Sequence, residues 1–178
     1  MASDVVSFGE TMLRLSPPSG VRLEEASTLH VYVAGTESNT LACLSRLHLR
    51  TIWVSALPLT PLGKHVESEL RGHGVNTEHI VWMGSNTRLG IFYAEEAPNP
   101  LGLQVYYDRA HSASALIDPE AVDLSVVNSA RMLHLTGITP ALSDRAREVF
   151  TRFFASGKRE ECPPFLRCEL PRETLVSR

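Results

Sequence analysis

Short apolar runs alternate along this chain with stretches whose apolar residues recur at helical spacing, and that alternation most constrains its fold. Residues 5–8 form an apolar run closed by Gly9-Glu10, which reads as a buried first strand. Residues 12–15 alternate weakly and stop at Pro17-Pro18, the pattern of a short exposed strand. Residues 30–33 read as another strand, ended by Ala34-Gly35. The period then changes: Leu41, Leu44 and Leu47 fall at helical spacing behind Thr36, a suitable N-cap. Residues 51–56 are β-branched and apolar, hence a strand. Leu62, Val66 and Leu70 mark a second helix ending near Gly72-His73-Gly74, and residues 80–83 a short strand. Strands that alternate with helices imply parallel βαβ units.

The middle of the chain differs. Residues 89–94 and 103–107 are strand-like runs joined by a Pro/Asn/Gly-rich connection, 97–102, which predicts a hairpin in a small sheet standing off the core. Residues 112–117 read as a short helix or turn, and 132–135 as a buried strand closed by Thr136-Gly137. Ala146, Val149, Phe150 and Phe153 form the stripe of a third helix. With 178 residues, 43% of them hydrophobic, the chain can bury a core and is neither disordered nor a disulfide-stapled scaffold. Seventeen basic against twenty acidic residues leave no basic excess for nucleic acid or an anionic membrane. No apolar run approaches the roughly 18 residues of a membrane helix, and no basic region opens a signal peptide, so the cytoplasm is the expected location. Cys43 falls on an apolar stripe and is expected as a packed free thiol; Cys162 and Cys168 fit no zinc pattern.

Several chemistries lack their motif. There is no G-x-x-x-x-G-K-[ST] loop, no G-x-G-x-x-G after the first strand, no G-x-S-x-G elbow and no H-E-x-x-H helix. What the chain does carry is a set of glycines and polar groups at strand ends: Gly9-Glu10, Ala34 through Asn39, Arg88-Leu89-Gly90, Tyr107 through Ala113, and Thr136-Gly137-Ile138. In an open α/β sheet, ligands sit at the carboxyl ends of strands, where these clusters would converge.

In that order the clusters resemble the ribokinase-like (PfkB) carbohydrate kinases, and among them the 2-keto-3-deoxygluconate kinases. The match is carried by Ser7-Phe8-Gly9-Glu10 with Met12 and Arg14, by Gly35 through Asn39, and by Leu57-Pro58 through Gly63 with Gly74-Val75. Tyr107-x-Arg109 with Ser112-Ala113, and His134 through Ile138, complete it. The resemblance implies an α/β fold, a ribokinase-like doubly wound sheet with a small β-sheet lid, incomplete in this chain. Residues 1–156 would be the N-terminal part of the kinase domain, with lid strands within 12–35 and 88–109. It implies ATP-dependent phosphorylation of a sugar acid, 2-keto-3-deoxygluconate, with fructose or another sugar as the alternative substrate.

By the same resemblance Gly35 would let the backbone approach the sugar and Asn39 would bond a hydroxyl. Tyr107 and Arg109 would bind the acid, since a guanidinium offers forked donors to a carboxylate. The competing reading of Arg109 is a pair with Glu95 or Glu96 across the hairpin; that of Asn39 is a backbone cap. Thr136, Gly137 and Ile138 would line the floor, and Arg14 would reach in from the lid. Two positions depart from the family pattern: Ala34 stands where Gly-Gly is usual, and Phe92 where a tyrosine often touches the sugar.

The resemblance also places the general base, the anion hole and the sites for ATP and Mg in a part of the family domain that this chain lacks. The chain would then be a truncated kinase, a non-catalytic sugar-binding half-domain or an inactive fragment, and lids in this family would pair subunits into a homo-oligomer. After residue 156 the sequence leaves the family pattern. Codons can be chosen so that residues 167–178, read one base later, spell the family's Asp-x-Asn-x-Arg strand, so residues 157–178 are expected to be an out-of-frame tail. Such a tail shows no clear strand pattern and would leave residues 132–135 as an open apolar edge.

Overall fold

A computed structural model describes residues 3–96 and 102–157, and the backbone of 164–167. Two sheets divide the work. The larger is parallel throughout and contains β1 (Ser3–Phe8), β4 (Thr51–Pro58), β5 (Ile80–Met83), β8 (Ala130–Thr136) and β9 (Pro164–Arg167), in the order β5-β4-β1-β8-β9. The smaller joins β2 (Met12–Ser16), β3 (His30–Ala34), β6 (Ile91–Glu96) and β7 (Leu103–Asp108), in the order β3-β2-β6-β7. Only its β2–β6 pairing is parallel.

Alternation along the strands builds a core on each face of the parallel sheet. Val6 and Phe8 of β1, with Val54 and Ala56 of β4, pack against Val149 and Phe153 of α4 (Asp144–Gly157). Val5, Trp53 and Leu57 point the other way, toward Leu41 of α1 (Thr36–Arg46) and Val66 and Leu70 of α2 (Pro61–Gly72). Thr60 caps α2 by accepting from the Gly63 N–H, with Pro61 at the first helical position. A four-residue helix, α3 (Ser125–Asn128), leads into β8.

Several sequence expectations are corrected. β2 is not an exposed strand: Met12 and Leu13 are buried, because Leu13 joins the cluster around Leu41, Trp53 and Leu89. The N-cap of α1 is Gly35 rather than Thr36, which is its first helical residue. Cys43 is exposed, two positions past the buried Leu41, and Leu47 is exposed because the helix has ended. Of the two forms expected near residues 112–117, helix or turn, the turn is the one adopted.

The β8 edge is not open either. β9 pairs with it in parallel, from Leu133 opposite Pro164 to Thr136 opposite Arg167. Proline is tolerated there because it is the first residue of its strand, where a missing N–H costs least. Cys162, Cys168 and most of the 97–102 connection lie outside the described residues.

Candidate functional site

The strand order reverses between β1 and β8, since the strands that follow β1 build out to one side before β8 joins on the other. A crevice at the carboxyl ends of those two strands is where an open α/β sheet binds ligands. The lid sheet leans over it. Met12, Ala34, Phe92 and Tyr107 are linked across the lid ladders, Met12 opposite Ala34 and Phe92 opposite Tyr107, and line the resulting cleft. Its other walls are Glu10, Gly35, Thr36, Glu37, Asn39, Arg109, Ile138 and Thr139. The cleft holds about 140 Å³.

Glu10 follows β1 and is buried at the cleft base. Its Oε2 accepts from Arg109 Nε at 2.8 Å and from Nη2 at 2.5 Å, and its Oε1 accepts from the Ser112 hydroxyl. Neither pairing foreseen for Arg109 occurs. Glu95 is taken by Arg22 and the Leu23 N–H, and Glu96 by Arg14. Among the described residues Arg109 Nη1 has no hydrogen-bond partner, and the guanidinium carbon lies 5.5 Å from the centre of the Tyr107 ring. Tyr107 also meets Phe92, with ring centroids 5.8 Å apart.

Glu37 is the second carboxyl of the cleft. It sits in the first turn of α1, where the helix dipole favours an acid, yet it is almost wholly buried. Its Oε1 accepts from the hydroxyls of Thr136 and Thr139, each at 2.6 Å. Burial pushes its pKa above the ordinary glutamate value, and these two bonds and the nearby Arg109 only partly offset that.

The foreseen residues divide accordingly. Gly35, Asn39, Phe92, Tyr107, Arg109 and Ile138 line one cleft. Thr136 and Gly137 do not: Thr136 is fully buried and spends its hydroxyl on Glu37. Arg14 does not reach in. It lies on the same lid face two residues beyond Met12, where it bonds Ser16 and pairs with Glu96 at 3.5 Å. Asn39 lines the cleft, and its Oδ1 accepts from the Gly35 N–H at 3.4 Å, the backbone cap weighed for it. What packs against Gly35 is the Glu10 backbone: a Cβ there would come 2.5 Å from the Glu10 carbonyl oxygen. Glu10, Glu37 and Thr139 were not foreseen as site residues, although an acidic residue directly after an apolar strand and glycine was a signal for the first.

The family model for pfkB carbohydrate kinases matches residues 2–176. The chain belongs to that family. A 2-dehydro-3-deoxygalactonokinase of Haloferax volcanii is 43% identical over 148 residues, 83% of this chain and 46% of the relative. A 2-dehydro-3-deoxygluconokinase of Thermoproteus tenax is 31% identical over 87% of this chain and 48% of its own length. Among solved structures, the 2-dehydro-3-deoxygluconokinase of Thermotoga maritima superposes with a TM-score of 0.90 at 32% identity, covering 95% of this chain and 52% of that one. The pfkB chain described here therefore spans about half the length of the curated relatives it matches. It has the ribokinase-like α/β fold with its second sheet, as the resemblance implied. No helix among the described residues is long and apolar enough to cross a membrane.

Proposed function

We propose that this chain carries the sugar-acid subsite of an ATP-dependent kinase for 2-keto-3-deoxygluconate. The observation that carries the reading is Arg109: a guanidinium held at the cleft by Glu10, with Nη1 unpaired among the described residues. Its outer Nη1–Nη2 edge suits a carboxylate, which takes two parallel N–H donors. Asn39 would bond a sugar hydroxyl and Tyr107 would cover the acid end. Phe92 would contribute an apolar wall where a tyrosine would offer a hydroxyl. ATP and Mg would supply the phosphoryl group and its charge neutralisation, and no step of that transfer is assigned to the described residues. Lid-to-lid pairing into a homo-oligomer belongs to the same proposal.

The Haloferax relative favours a second reading, in which the acid is the galactonate epimer. Calorimetric titration of the purified chain with both 2-keto-3-deoxy acids and with fructose tests these readings. Tighter binding of an acid than of fructose is expected, and equal or absent binding of the acids removes the proposal. Adding ATP and following ADP release then separates a kinase from a sugar-binding half-domain.

A further inference from the structure

The lid leaves and re-enters the α/β layer at four crossings: 9–11 between β1 and β2, Gly35 between β3 and α1, 84–90 between β5 and β6, and 109–112 after β7. All four meet at one side chain or its backbone. Glu10 lies in the first. The Gly35 backbone packs on its carbonyl, and a Cβ at Gly90 would come 2.7 Å from its Oε1. Arg109 and Ser112, in the fourth, donate to its carboxylate. That last crossing is a tight one: His111 adopts a left-handed φ of 55°, the Ser112 N–H bonds the Arg109 carbonyl, and the Ser112 hydroxyl oxygen accepts from the Ala115 N–H. A non-glycine residue in that region is held by its surroundings.

We propose that Glu10 is the positioning residue of this site. It occupies the inner Nε–Nη2 edge of Arg109, so that the outer edge alone is left for a ligand. By tying the first and fourth crossings it also ensures that the lid cannot shift without shifting the cation. The inference rests on the sugar-acid reading for its ligand. A carboxylate on each side of one guanidinium makes the site select an acid by directed donors rather than by excess positive charge.

Two measurements on the full chain test it. In ligand-free ¹⁵N–¹H spectra the Arg109 Nε–H, identified by its loss in Arg109→Lys, is expected as a slowly exchanging signal that Glu10→Ala abolishes. Absence of that signal from the unmodified chain, or its survival in Glu10→Ala, overturns the tie, and the first arm needs no variant to fold. In titrations, Glu10→Gln is expected to weaken 2-keto-3-deoxygluconate about tenfold, the size of a coupling within one bonded network, while fructose binding changes little. In an Arg109→Met background Glu10→Gln is expected to have no further effect on the acid. Equal losses for acid and fructose, or additive losses in the double variant, would mean that Glu10 is merely structural. Failure of the unmodified chain to bind the acid removes the substrate reading, whereas the Nε–H signal decides the Glu10–Arg109 tie separately.

Discussion

Gly9 and Glu37 face each other so closely that a Cβ on Gly9 would fall 2.2 Å from the Glu37 carboxyl carbon. The glycine that ends β1 thus makes room for a carboxyl that enters from α1, 28 positions later in the chain. Gly9→Ala is expected to cost about 1–3 kcal/mol of stability, the range for overfilling a packed site. Because the obstruction is a side chain, Gly9→Ala combined with Glu37→Ala should lose less than the sum of the two single changes. Urea unfolding of the four proteins gives the coupling directly.

Glu37 also sets a pH dependence. Its folded pKa lies above the unfolded value of 4.5, because burial disfavours the charged form. Above 4.5 the unfolded chain holds fewer protons at this group than the folded one, so the group lowers stability as pH rises until its folded pKa is passed. Glu37→Gln removes the titration. Melting curves across pH should show the variant losing less stability than the parent as pH rises from 4.5, and parallel curves would contradict this.

Gly35→Ala should be harder to relieve than Gly9→Ala. The atoms a Cβ would strike are the Glu10 carbonyl oxygen at 2.5 Å and Thr11 Cα at 3.0 Å, both backbone, and Ser38 Oγ at 2.8 Å. Ser38→Ala can clear only the last. We expect a loss of about 3 kcal/mol that Ser38→Ala does not recover, read by denaturant midpoint.

At the opposite end of the sheet Asp4 ties β1 to β8 and to Arg50, the residue that precedes β4. From β1 it accepts from the Arg50 side chain at 3.0 and 3.1 Å and the Arg50 N–H at 2.9 Å, and from Arg131 of β8 at 3.3 Å. The Arg50 bonds hold its carboxyl well below the usual carboxylate range. Its stabilisation is therefore complete above the unfolded value of 3.8 and is lost as pH falls toward the depressed folded pKa. Asp4→Asn should melt below the parent at neutral pH, with the gap closing under acid. A gap independent of pH would show that the charge plays no part.

The out-of-frame origin proposed for residues 157–178 has its own test. The coding DNA, read one base later from the Leu166 codon, is expected to encode Asp-x-Asn-x-Arg. Immediate stop codons in that frame would end the idea.

Much of the fold was legible because its signals are local. Periodicity located β1 to β8 and the three longer helices to within a few residues, as at residues 51–56 for Thr51–Pro58. Boundaries slipped where a cap decided them, as at Gly35. The solvent side slipped where a distant surface decided it: Met12 and Leu13 alternate too weakly to announce burial, yet the cluster around Trp53 covers Leu13. β9 went unseen because a strand that begins with proline beside an existing edge is specified more by its neighbour's free backbone groups than by its own pattern.

The sequence by itself determined the α/β layering and the second sheet, since these follow from spacing, and its resemblance to the pfkB kinases pointed to Arg109 as a residue of the cleft. Only the tertiary structure decided what Arg109 is bonded to, that Thr136 serves Glu37 rather than the cleft, and that Arg14 is spent on Glu96. Partner choice for a charged group depends on which carboxylate the fold brings within about 3 Å, and Glu10 lies 99 positions from Arg109 in the chain. Glu95 and Glu96 were the nearer carboxylates in sequence, but Arg22 and Arg14 already hold them.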